Sequence, residues 1–96
     1  MSETVVISFK ATPGNEDALL KLLQHGKDVS LKAKGCESFD LWQSQDQPAR
    51  FVMVERWRSM DDHHANFAKN IKESGHLEKI AALLAEPIHG GVHKAR

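Results

Sequence analysis

The chain has 96 residues, 41% apolar and 27% charged, with 13 basic against 13 acidic side chains and no formal net charge when histidine is neutral. That length fits one domain, residues 1–96, with a modest core. The charge balance excludes a nucleic-acid surface built on basic excess, and no run approaches the ~20 apolar residues of a membrane helix.

The opening Met-Ser-Glu-Thr lacks the basic and apolar regions of a signal peptide. The single Cys36 has no partner for an intrachain disulfide. Both point to a reducing cytoplasm. Only Lys34 lies near enough in sequence to activate the thiol, so Cys36 reads as a small semi-buried side chain where a strand begins.

Residues 4–10 (Thr-Val-Val-Ile-Ser-Phe-Lys) predict the first strand, with Val5, Ile7 and Phe9 on one face. Pro13 and Gly14 break it. Asn15 then suits a helix cap, and Glu16 and Asp17 suit the positive end of the helix dipole. The helix runs to about residue 32 on an apolar stripe of Leu19, Leu22, Leu23, Gly26, Val29 and Ala33. Gly26 is expected to allow close contact with the sheet, and Gly35 to end the helix. Residues 37–45 predict a second strand, followed by a polar turn over 44–49 and a third strand over 51–57.

The third strand organises the rest. It is apolar on both faces, with Phe51, Met53, Glu55 and Trp57 on one side and Val52, Val54 and Arg56 on the other. A strand with one wet face would alternate apolar with polar. Both faces of this sheet therefore need covering. Ser59 caps the next helix, with Asp62 three residues on. That helix is expected to turn Met60, His64, Phe67, Ala68 and Ile71 inward, with His63, Asn66 and Asn70 flanking. Gly75 allows a bend. Leu77, Ile80, Ala81 and Leu84 then mark a third helix that Pro87 ends. Residues 88–93 form a weak last strand, broken by Gly90 and Gly91.

The order β, α, β, β, α(α), β predicts an α+β fold of the ferredoxin-like, split βαβ type. Its four-stranded antiparallel sheet carries helices on one face only. A second copy of the chain, sheet against sheet, is the expected cover for the other, so a homodimer is predicted. Glu55 lies in an apolar strand and needs a partner. A structural ion pair with Arg50 or Arg58 is expected. His89 and His93 fall on one side of a strand, but only Glu86 stands near them as a further ligand, so no metal site is predicted. Phosphate-binding glycine loops, Cys-x-x-Cys pairs and nucleophile elbows are absent from the sequence.

Phe51-Val-Met-Val-Glu-Arg-Trp-Arg-Ser59, the His- and Asn-rich helix after it, and Ser74-Gly-His-Leu77 resemble the antibiotic biosynthesis monooxygenase family. Thr12-Pro-Gly14 and the acidic start of the first helix match as well, so the resemblance spans nearly the whole chain. It implies a dimeric α+β barrel of ferredoxin-like subunits. It also implies oxidation of a small aromatic or quinol-type substrate with molecular oxygen, without metal, haem, flavin or other cofactor. One position departs from the family. Nine residues after the strand tryptophan, members commonly carry histidine, and here that residue is Asn66.

Such chemistry needs a base, donors for an electron-rich anion and a dry pocket. The resemblance makes His64 or His63 the base, Asn66 a donor and Trp57 a stacking or closing group. His64, Asn66 and Trp57 form the expected catalytic set, and His63, His76 and Phe67 the expected substrate contacts. A structural reading stays open for each: core histidine, core or interface tryptophan, buried hydrogen-bonding asparagine. Two other functions also stay open. One is a non-catalytic or regulatory ligand-binding dimer. The other is haem binding through His64 or His76, against which stands the lack of asparagine on the first strand.

Overall fold

The computed structural model describes residues 2–96. Its elements in order are β1 (Glu3–Lys10), α1 (Glu16–Leu31), β2 (Cys36–Gln43), β3 (Arg50–Trp57), α2 (Met60–Asn66), a π-helical continuation (Phe67–Lys72), α3 (His76–Ala81) and β4 (His89–His93). The four strands form one sheet in the order β2-β3-β1-β4, every neighbour antiparallel. This is the ferredoxin-like arrangement expected from the element order. None of the helices among the described residues is long and apolar enough to cross a membrane.

Strand alternation sorts the side chains. Val5, Phe9, Phe39, Phe51, Met53 and Trp57 are buried under the helices. From α1 come Leu19 and Leu23, both fully buried, and burial on that scale stabilises by roughly 1.5–3 kcal/mol per side chain. Val6, Val52 and Val54 lie on the opposite face, where no helix packs, and are half-exposed. Trp42, paired with Val52 on that face, is 63% exposed. The open apolar face expected from β3 is therefore present.

Several boundaries and contacts differ from expectation, each for a local reason. β2 stops at Gln43 because the Ser44 amide bonds the Arg50 carbonyl and the Ser44 hydroxyl accepts from the Gln47 amide, closing the turn early. Asn15 does not cap α1 through its side chain, which donates instead to Thr12 Oγ1 at 2.7 Å. Ser59 does cap α2, its hydroxyl accepting from the Asp62 amide. Gly35 is left-handed at φ +83°, and a Cβ there would overlap the Asp62 carboxylate. Glycine thus serves both the end of α1 and the seating of α2. Gly26 makes its close approach to His76 rather than to the sheet, with 3.4 Å from a Cβ position to His76 Nε2.

The largest correction concerns α2. Asn66 is its buried residue, His63 is half-buried beside it, and His64 and Ala68 face outward. Phe67 and Ile71 of the expected stripe do face the interior, but at His64 and Ala68 the inward positions fall one residue earlier or elsewhere. Buried polar partners on β3 and α1 draw His63 and Asn66 inward, which an apolar count does not register.

Candidate functional site

A cavity of about 70 Å³ lies between the helix-covered face of the sheet and the helices. Ile7, Phe9 and Met53 contribute from the sheet, Ile71 and Ile80 from the helices. Its polar groups are few: Glu55, His63, Ser30, Asn66 and His76. An apolar cavity with a small number of convergent polar groups is the usual form of a small-molecule site.

β3 supplies the centre of the polar wall. Glu55 is 3% exposed and its Oε1 accepts from Trp57 Nε1 at 2.9 Å. His63 Nδ1 lies 3.6 Å from the same oxygen. That is ion-pair range but too long for a hydrogen bond, and His63 Nδ1 is buried without another partner among the described residues. The Trp57 ring meets His63 edge-on, centroids 5.5 Å apart. The expected arginine partners of Glu55 are engaged elsewhere, Arg50 with Glu86 and Arg58 with Asp62. Both lie at the ends of a strand whose buried middle is served by its own tryptophan two residues on.

A second polar group joins the helices. Asn70 Nδ2 donates to Asn66 Oδ1 at 2.8 Å, and Asn66 Nδ2 donates to Ser30 Oγ at 3.0 Å. Asn66 sits where α2 passes into its π-helical turn, a local widening often found at functional sites.

His76 follows the left-handed Gly75 and its Nε2 lies 2.7 Å from the Leu22 carbonyl, so that nitrogen carries the proton. Burial pushes its imidazole below the ordinary histidine range; the Leu22 bond opposes this, and His25 and Lys79 add to it. The unfolded imidazole takes up a proton near pH 6.5, where the folded one does not. Stability is therefore full above that pH and falls as pH drops toward the lower folded value. Urea unfolding at pH 7.5 and 5.0 should show a larger loss in the natural protein than in His76→Gln, which keeps a donor for Leu22 but cannot titrate.

The structure separates the expected site residues. His63, Asn66, Phe67 and His76 line the cavity, Phe67 at a rim where it is 37% exposed. His64 does not: it is exposed, one position and about 100° round α2 from His63. Trp57 is fully buried behind Glu55 and does not line the cavity. Its contact with the site runs through the carboxylate. Sequence reasoning missed Ser30, a polar residue on the buried face of α1 beside Val29, and that polarity within an apolar stripe was the available signal. Among the described residues no group of three potential ligands stands together for a metal. Burial, then Glu55 and Glu37, raise the Cys36 thiol above its usual range, which suits an unreactive side chain.

The sequence matches the family model described as "Antibiotic biosynthesis monooxygenase" over residues 3–70. No curated protein matches it. Among solved structures, Rv0793 from Mycobacterium tuberculosis is 24% identical, with 100% of this chain and 96% of that one covered at a TM-score of 0.87. A Nitrosomonas europaea protein bearing the family's name is 21% identical, with 98% and 89% covered at 0.89. SnoaB from Streptomyces nogalater, a cofactor-independent oxygenase, is 18% identical, with 99% and 93% covered at a TM-score of 0.84. At these identities the likeness is one of fold.

Proposed function

The chain belongs to the antibiotic biosynthesis monooxygenase family, and we propose that it oxidises a small aromatic or quinol-type substrate with molecular oxygen, without a cofactor. The observation that carries this reading is the Glu55–His63 pair on the wall of an apolar cavity. A carboxylate facing Nδ1 favours the proton there and leaves Nε2 as the basic nitrogen. His63 then takes a proton from a phenol or hydroquinone. The anion passes an electron to oxygen, which combines with the resulting radical. One oxygen atom stays on the substrate and the other leaves as water with two substrate hydrogens. SnoaB, of the same fold, is a cofactor-independent oxygenase, which supports this reading.

In this reading the base is His63 rather than His64, which lies outside the cavity. Asn66 and Ser30 face the substrate, and Trp57 holds Glu55. Haem ligation fits poorly, since His76 Nε2 is occupied by Leu22 and His64 points away. The test is oxygen uptake with a panel of hydroquinones and anthrones. Uptake above the protein-free rate is expected. Binding of those compounds without uptake would favour a regulatory ligand-binding protein instead.

The active form in this reading is a homodimer through the open sheet face, in keeping with half-exposed Val6, Val52 and Val54 and exposed Trp42. Light scattering should give twice the chain mass of 10.7 kDa. Val54→Glu should shift it to the monomer, because symmetry would bury two unpaired carboxylates at once. A monomeric natural protein, or a dimeric variant, would remove the sheet-to-sheet arrangement.

A further inference from the structure

The geometry points to Ser30 as the residue that selects ligands bearing a hydrogen-bond acceptor, its proton turned to the cavity by a one-way relay from Asn70 through Asn66. This rests on reading the cavity as a ligand site, and does not depend on oxygenation.

Each bond in the relay has a direction. An amide presents donors on nitrogen and lone pairs on oxygen, while a hydroxyl has one donor and two lone pairs. Asn70 Nδ2 donates to Asn66 Oδ1, which orients the Asn66 amide with its nitrogen toward Ser30. Ser30 Oγ accepts from that nitrogen, so its own proton must go elsewhere. Helical serines commonly return the proton to the carbonyl one turn back, a bond of the kind that Ser74 makes to Asn70 in the turn just past the π-helical segment. Ser30 does not, and its proton has no protein acceptor among the described residues. Ser30 is 2% exposed and lines the cavity. A buried donor without a partner is costly, and a ligand carbonyl or phenolate oxygen supplies one. Ser30 thus acts as a binding residue, while Asn66 and Asn70 position it.

The relay can be reversed. In Asn70→Asp the ionised carboxylate only accepts. It draws the Asn66 nitrogen to itself and turns Asn66 Oδ1 toward Ser30. Ser30 then donates to Asn66 and presents lone pairs to the cavity. The selectivity should change sign with almost no change in shape.

Isothermal titration with three small aromatic probes of similar size tests this: acetophenone, which only accepts; indole, which only donates; and ethylbenzene, which does neither. Ser30→Ala should weaken acetophenone by up to about tenfold and leave ethylbenzene unchanged. Asn70→Asp should weaken acetophenone and tighten indole. Equal losses for acetophenone and ethylbenzene in Ser30→Ala would reduce Ser30 to packing and overturn the inference. So would an unchanged acetophenone-to-indole ratio in Asn70→Asp, which decides alone if Ser30→Ala fails to fold. Binding of all three probes with no dependence on either residue removes this inference and spares the ligand site. No binding of any probe to the natural protein removes both.

Discussion

Trp57→Ala should lower the unfolding free energy by about 3–5 kcal/mol, the range for deleting a large buried aromatic side chain. Two losses coincide at this position. Trp57 is fully buried, so truncation leaves a void at the end of β3 against α2. Its indole N–H is also the only hydrogen-bond donor to Glu55 among the described residues, and Glu55 is itself buried. Trp57→Phe separates the two losses. It keeps most of the apolar volume and removes the donor, and should cost about 1–3 kcal/mol, as for a buried acceptor left unsatisfied. Urea unfolding of both variants at one protein concentration reads the difference, since any self-association adds its own contribution. If phenylalanine costs as much as alanine, support of the carboxylate outweighs packing. If neither costs more than about 1 kcal/mol, within the range of ordinary substitutions, Trp57 is not what holds β3 to α2.

The fold was legible because its signals are local and repeated. Apolar residues on both faces of β3, the polar turn over 44–49 and the element order suffice for a four-stranded antiparallel sheet with helices on one face. The site was less legible, because hydrophobic periodicity ranks residues by transfer free energy and is blind to buried polar pairs. His64 shares a helical stripe with Met60 and Ile71, so it reads as the inward histidine. Yet His63 is the one within reach of Glu55. Likewise Asn66 reads as a flank and is buried, because Ser30 accepts its amide from a helix 36 residues earlier. The Glu55–Trp57 bond was closer to hand. Residues two apart on a strand share a face, so a buried acid and an indole at that spacing can satisfy one another without any arginine.

His63→Ala should reduce kcat on an accepted quinol by about 10²–10⁴-fold, the usual contribution of a positioned general base, with KM changed far less. The argument rests on its place. His63 lines the cavity, and among the described residues Glu55 is its one polar neighbour at Nδ1. His64→Ala should stay within about twofold of the natural rate, as expected for an exposed substitution away from the chemistry. A structural role for His63 would lower activity as well, so the deciding readout is rescue. Added imidazole fits the space that truncation opens and should restore part of kcat to His63→Ala, while leaving His64→Ala and the natural protein unmoved. Glu55→Gln tests the orientation of the ring. It keeps an acceptor for Trp57 but loses the charge that favours a proton on Nδ1, and should lower kcat on the order of tenfold, which is about 1.4 kcal/mol of ion-pair orientation. Should His64→Ala abolish uptake while His63→Ala does not, the base lies outside the cavity, and the substrate must bind on the surface of α2 instead.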